Sequence, residues 1–329
     1  MRIPRSVSLL ALAVLAATSA TTLTGCDSLG PSMTHAAQGV ERWRSDLSRH
    51  DVSLPDGTRI VYLEGGQGEP LVLVHGFGAD KDNFTRVARW LTPHYRVIVP
   101  DLVGFGESTH LPDADYRYAA QAQRVHAFVK ALGLDTAGGT AGGRVHLGGN
   151  SMGGGIAMSY AAQYPQEVGS LWLIDAAGIG EAPPSELARI VTSGGRNPLI
   201  ITQESDFPAL MAFAMSDPPY LPGPVMDTLA RERIANLPLE RRVFQQIATD
   251  SVSAAVRGNP VPTLVMWGAE DRALSVGTVP VLQALLPNTQ AIVMPHVGHA
   301  PMIERPKASA EAYLAFRARL AAPAASTPN

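Results

Sequence analysis

The sequence predicts an α/β fold, with a mainly parallel central sheet, helices on both faces and a single helical insertion. Three observations predict it. Short apolar runs alternate with stretches of helical periodicity along most of the chain. The runs are continuous rather than alternating in polarity, as strands buried on both faces require. Between Gly178 and Gly258 the alternation stops, and helical segments separated by prolines replace it.

Taken in order, Pro55-Asp56-Gly57 is a turn signal between two short strands. Leu71–Val74 is the first buried strand, followed by a helical pattern near Asn83–Leu91, and Arg96–Val99 is the next. Helix Tyr116–Leu132 precedes a glycine-rich loop, Gly138–Gly143, and strand Val145–Leu147. Helix Met152–Gln163 and strand Leu171–Ile174 close the first half. After the insertion the rhythm resumes with Thr263–Trp267, a helix near Val276–Leu286, strand Ala291–Met294 and a last helix about Lys307–Leu320. With 329 residues, 46% hydrophobic and 17% charged, the chain has a well-cored, globular composition. Its formal charge of −3, with no basic run, gives a nucleic-acid partner no electrostatic support.

The N-terminus reads as a targeting segment. Arg2 and Arg5 precede an apolar core, Val7–Ala17, which is too short for the roughly 20 residues a membrane-spanning helix needs. Leu23-Thr24-Gly25-Cys26 resembles the bacterial lipobox, whose cysteine is lipidated and becomes the new N-terminus. Cys26 is the only cysteine, so no disulfide forms within the chain. Asp27 beside it resembles an inner-membrane retention signal of some bacteria. Residues 27–36 are small and polar, as a tether is, and Val40, Trp43 and Leu47 have the spacing of a short amphipathic helix, which packing on the body explains in preference to lying on a membrane surface.

The chemistry centres on Gly149-Asn150-Ser151-Met152-Gly153, a G-x-S-x-G pattern that follows an apolar strand and opens a helix. That setting makes a turn too tight for side chains at its flanks and leaves the serine hydroxyl exposed. A serine needs a base beside it to attack at neutral pH. His299, between the last strand and the last helix, is the candidate, with His296 its rival. The imidazole needs an orienting acid. Asp271, after strand Thr263–Trp267, is favoured over Asp175, after strand Leu171–Ile174, and over Glu270. The oxyanion needs two N–H donors, and Met152 and Phe77 supply them, with Gly76 allowing close backbone approach. His75 reads as a prop of that loop rather than a base.

Residues 75–83 (HGFGADKDN), 101–108 (DLVGFGES) and 149–154 (GNSMGG) are together similar to the α/β-hydrolase superfamily, over residues 52–320. Within it they resemble the capped bacterial lipases and esterases related to monoacylglycerol lipases. The resemblance implies an α/β-hydrolase fold with a helical cap, chain order Ser, acid, His, and hydrolysis of a small-molecule or lipid ester through an acyl-enzyme, with no cofactor and no metal. Other reactions on the same three residues stay open: C–C-bond hydrolysis, thioester hydrolysis or perhydrolysis, and, more remotely, a non-catalytic binding lipoprotein. The expected organisation is a lipoprotein signal peptide over 1–25 and a lipid-anchored tether with a short helix over 26–50. The α/β-hydrolase core follows over 51–178 and 259–321, the helical cap over 179–258 and a flexible tail over 322–329. The expected location is the cell envelope, on a membrane and facing the periplasm or exterior.

Overall fold

The computed structural model describes residues 26–134 and 144–321. The expected signal peptide at 1–25, the glycine-rich loop at 138–143 and the tail from 322 lie outside the described residues. Eight strands form one sheet: β1 Ser48–Ser53, β2 Arg59–Gly65, β3 Glu69–Val74, β4 Tyr95–Pro100, β5 Val145–Asn150, β6 Val168–Ile174, β7 Thr263–Gly268 and β8 Thr289–Met294. Their spatial order is β1-β2-β4-β3-β5-β6-β7-β8. The first two pairings, β1 with β2 and β2 with β4, are antiparallel, and all the others are parallel.

The helices are α1 Cys26–Arg44, α2 Thr85–Ala88, α3 Tyr118–Ala131, α4 Met152–Gln163, α5 Glu186–Thr192, α6 Phe207–Ala214, α7 Gly223–Ala235, α8 Leu237–Ile247, α9 Ser253–Val256, α10 Thr278–Leu285, α11 Pro301–Glu304 and α12 Pro306–Ala321. Alternate residues of each central strand feed two cores. Val72, Val74, Leu147 and Leu173 pack with α3, α4 and α10 on one face. Leu71, Leu73, Trp172 and Ile174 pack with α2 and α12 on the other. A strand buried on both faces has no room for polar alternation, which is why these segments read as unbroken apolar runs.

Parallel pairing also places the site. Val74 is level with Gly149, Asn150 with Ile174, and Gly268 with Met294, so the loops after β3, β5, β6, β7 and β8 leave one edge together. Between β6 and β7, helices α5 to α9 carry the chain without a strand among the described residues.

One expectation fails at the N-terminal end. Residues 27–36 are helical, not an extended tether, and the helix stops at Arg44, before Leu47. The face that docks is the small and polar one. Gly30 lies against Pro224 and Thr228 of α7, Arg42 pairs with Asp82 at 2.5 Å, and Ser45 Oγ donates to the Thr85 carbonyl at 2.6 Å. Leu47 is buried as expected, but Val40 and Trp43 are 47% and 79% exposed. The apolar spacing therefore marks the outward stripe of α1, because small residues and an ion pair let its opposite side approach the body more closely.

Candidate active site

Ser151 sits between β5 and α4 with φ 55° and ψ −120°. A non-glycine residue in this region costs on the order of 1–3 kcal/mol, and here the surroundings impose it. A side chain at Gly149 would collide with the Gly153 carbonyl, and one at Gly153 with the Val74 carbonyl. Both neighbours are backbone and cannot move aside, so the two glycines are a steric requirement of the turn. The Ser151 N–H donates to the Ile174 carbonyl at 3.0 Å and the Ser151 carbonyl accepts from Ala177 at 2.9 Å, pinning the turn to the end of β6. The serine itself is half-buried.

His299 Nδ1 lies 2.8 Å from Asp271 Oδ2, with the Asp271 side chain fully buried and that of His299 nearly so. Asp271 Oδ1 accepts from the N–H groups of Ala273 and Leu274 at 2.8 and 3.0 Å, which fixes the carboxylate plane. The His299 N–H donates to the Ala214 carbonyl at 2.7 Å, tying its loop to the end of α6.

Of the three rivals, two lie at the surface and one, Asp175, lies beside Asp271 itself. His296 pairs with Glu270 at 3.1 Å in the open, its side chain 87% exposed, so these two less favoured candidates bond to each other at the surface. Asp175 is wholly buried beside Asp271, and its Oδ1 accepts from the Gly268 N–H at 2.9 Å. Burial and the adjoining Asp271 carboxyl raise its pKa well above the ordinary carboxylate range.

Gly76 reaches the serine turn: a Cβ placed there would stand 3.2 Å from both Ser151 Cβ and Asn150 Oδ1. Phe77 follows, edge-on to Phe105 and Phe244, and Met152 is the first residue of α4, where the N–H has no acceptor within the helix. His75 is fully buried; its Nε2 accepts from Leu102 N–H at 3.0 Å and its Nδ1 lies 2.8 Å from the Gly76 carbonyl. Accepting at Nε2 puts the ring proton on Nδ1, and burial lowers the pKa, so His75 is a neutral strut between the loops after β3 and β4.

Two residues that bind the site together were not legible in the sequence. Asn150 donates from Nδ2 to the carbonyls of His299 at 3.0 Å and Ile174 at 3.2 Å, joining the His299 loop to the serine turn. It occupies an unrestricted position of the G-x-S-x-G pattern. The nearly buried Glu304 accepts from Gly298 N–H at 3.0 Å and from Ser216 and Asp217 N–H at 2.9 Å, linking the His299 loop to the insertion. Its partners are backbone groups, which leave no trace in residue types.

Helix α6 and the segment after it overhang this edge. Phe213 and Met215, with Glu186, Arg189, Glu270 and Arg272, border a cleft of about 570 Å³ that reaches Asp271 but is not lined by Ser151 or His299. Arg233 of α7 lies over the loop after β3, 5.7 Å from the Phe77 ring, and is bound to Glu240 and, at 2.7 Å, to the Leu199 carbonyl.

The model of the alpha/beta hydrolase fold family matches residues 69–306. The chain belongs to that family. It is 42% identical to "Lipase 1" of Psychrobacter immobilis, over 91% of this chain and 95% of that protein. It is 41% identical to "Lipase 3" of Moraxella sp. (strain TA144), over 92% and 96%. The crystal structure of a membrane phospholipase A, described as a bacterial virulence factor, superposes with a TM-score of 0.83 at 39% identity, covering 88% of this chain and 92% of that one. The protein is an ester-hydrolysing enzyme of the lipase and esterase type.

Proposed function

We propose that the protein is a membrane-associated serine carboxylester hydrolase that takes acyl esters of short to medium chain, monoacylglycerols among them. Ser151 attacks the ester carbonyl while His299 accepts its proton, Asp271 holds the imidazole and stabilises its cation, and the alcohol leaves with that proton. Water, activated by the same imidazole, then releases the acid from Ser151. The N–H groups of Phe77 and Met152 receive the oxyanion. The observation that carries the reading is the buried 2.8 Å pairing of His299 Nδ1 with Asp271, in the loops after β8 and β7, next to the serine turn after β5. The test is a p-nitrophenyl ester series from acetate to palmitate with monoacylglycerols alongside. Turnover that peaks at intermediate chain lengths supports the proposal, and activity confined to thioesters or to vinylogous diketones overturns it.

Membrane association rests on the lipobox-like Leu23–Cys26 and on α1, which starts at Cys26 and turns Leu29, Met33, Val40 and Trp43 outward along one stripe. An apolar stripe ending in tryptophan suits the plane of a bilayer surface. No helix among the described residues is long and apolar enough to cross a membrane. In this reading Cys26 carries lipid and the body sits in the cell envelope, on the periplasmic or outer side. Cys26→Ser should leave the mass of the lipid off the N-terminal peptide and shift the protein out of the membrane fraction. Unchanged fractionation with an unmodified Cys26 in the native protein would overturn the anchor.

A further inference from the structure

Asp175 is the group the proposed mechanism leaves unused. Its side chain is wholly buried at the end of β6, on a backbone of φ 44°, with oxygens close enough to those of Asp271 and the imidazole of His299 that all lie within 4.8 Å of one another. Oδ1 accepts from Gly268 N–H. Oδ2 is enclosed, with no N–H or O–H donor to bond to among the described residues. Its neighbour is the Asp271 carboxyl, and two carboxylates have no hydrogen to share. A buried carboxylate with one donor and no cation beside it is untenable; a protonated one here has an acceptor waiting.

The acceptor side fits. A carboxylate offers about four lone-pair sites. Those of Asp271 already receive Ala273 N–H, Leu274 N–H and His299 Nδ1–H, and all three come from backbone or the imidazole. One site is left for a further donor. We propose that Asp175 works as a neutral carboxylic acid, a positioning residue whose O–H donates to Asp271 and completes the hydrogen-bond shell that aims it at His299. The sequence placed Asp175 as a rival triad acid; in this arrangement it supports the acid as a donor. The raised pKa of Asp175, caused first by burial and then by Asp271, agrees with the neutral form. Among the described residues the ionisable groups facing it are Asp271, His299 and, from α11, Glu304, so no permanent cation there favours its ionisation.

The inference rests on Asp271 being the triad acid, and the experiment separates the two. Asn has the same shape as a protonated Asp, with a carbonyl for Gly268 and an N–H for Asp271. Asp175→Asn should therefore keep kcat within ~3-fold of wild type, whereas Asp175→Ala should lose on the order of 10² through a misaimed acid. An Asn variant as impaired as the Ala variant would overturn the proposal, since it would mean a carboxylate, or a cation held between the two acids, is needed there. A harmless Ala variant would overturn it as well. Asp271→Asn in parallel reads the underlying assignment: if that change is silent, the triad reading itself fails.

A second readout does not depend on activity. A group whose folded pKa is raised loses stability as pH climbs from its unfolded value, near 4 for Asp, towards the folded one. Asn is free of that loss. The melting temperature of Asp175→Asn relative to wild type should rise by several degrees between pH 5 and pH 8. A difference that falls over that range would mean an ionised, stabilising Asp175 and would contradict the proposal.

Discussion

The body and the insertion between β6 and β7 are built on different terms. The serine turn is held by backbone that cannot move: Gly149 against Gly153, Gly153 against Val74, and Ser151 bonded at both N–H and carbonyl to the end of β6 and the residues after it. The insertion has small apolar clusters of its own, one around Ile201, Phe207 and Ala230 and another joining Leu187 and Phe213 to Ala273. Charged pairs lace it together: Arg231 with Glu204, Arg233 with Glu240, and Arg196 with Asp206. A site imposed by packed strands keeps its geometry under substitution elsewhere. A roof with little buried packing of its own changes with each side chain. In the proposed function, chemistry belongs to the body and selectivity to the insertion, and substitutions in the two should differ in kind.

The largest effects should come from the body with the fold intact. Asp271→Asn should cost on the order of 10⁴ in kcat, with KM little changed, because the imidazole loses its orientation and charge partner. Steady-state kinetics on one short ester checks this, with the melting temperature as control. Below it comes Glu304→Ala, which strips the shared acceptor from Gly298, Ser216 and Asp217 and so loosens both regions at once. Leaving buried N–H groups unpaired costs about 1–3 kcal/mol each, so stability and kcat should fall together. A drop in kcat without loss of melting temperature would mean that Glu304 does not join the two regions.

Phe213→Ala sharpens the contrast from the other side. Phe213 borders the cleft beside Asp271 while packing on Leu187 and Ala273, whereas Met211 packs between the body and the Ile201 cluster. If the Phe213 ring covers two or three carbons of the acyl chain, removing it should shift the chain-length preference in kcat/KM by roughly 10- to 60-fold while acetate turnover stays near wild type. Met211→Ala should lower all substrates alike together with the melting temperature, and the same profile from Phe213→Ala would assign it to packing as well.

The smallest effect is a pH dependence of the body. His146 is buried on β5, between Ser170 and Glu69, and burial, together with Arg317, lowers its pKa to about 4. A depressed folded pKa gives stability that is present above the unfolded value, near 6.5, and lost as pH falls towards 4. Thermal melts of His146→Gln should show a shallower decline over that window than wild type.

The fold was largely readable because its strands are buried on both faces: β3, β6 and β7 carry continuous apolar runs, and the helix after Ser151 ends where its periodicity ends. The positions of His299 and Asp271 were readable because parallel strands deliver successive loops to one edge. What failed at α1 was the choice of docking face, since the spacing of Val40, Trp43 and Leu47 cannot reveal that Gly30 and Arg42 hold the opposite side to the body. Asn150, Glu304 and the donor role of Asp175 escaped for a related reason. Their partners are backbone N–H and carbonyl groups or another acid, and such pairings depend on where loops meet.

Every step of the proposed chemistry depends on Ser151 being the nucleophile and His299 its activating base. Labelling the full-length protein with a fluorophosphonate and mapping the modified peptide addresses both residues at once. One adduct is expected, on Ser151, absent in Ser151→Ala and formed far more slowly in His299→Ala. An adduct on another serine, or undiminished labelling of the His299 variant, would contradict the assignment.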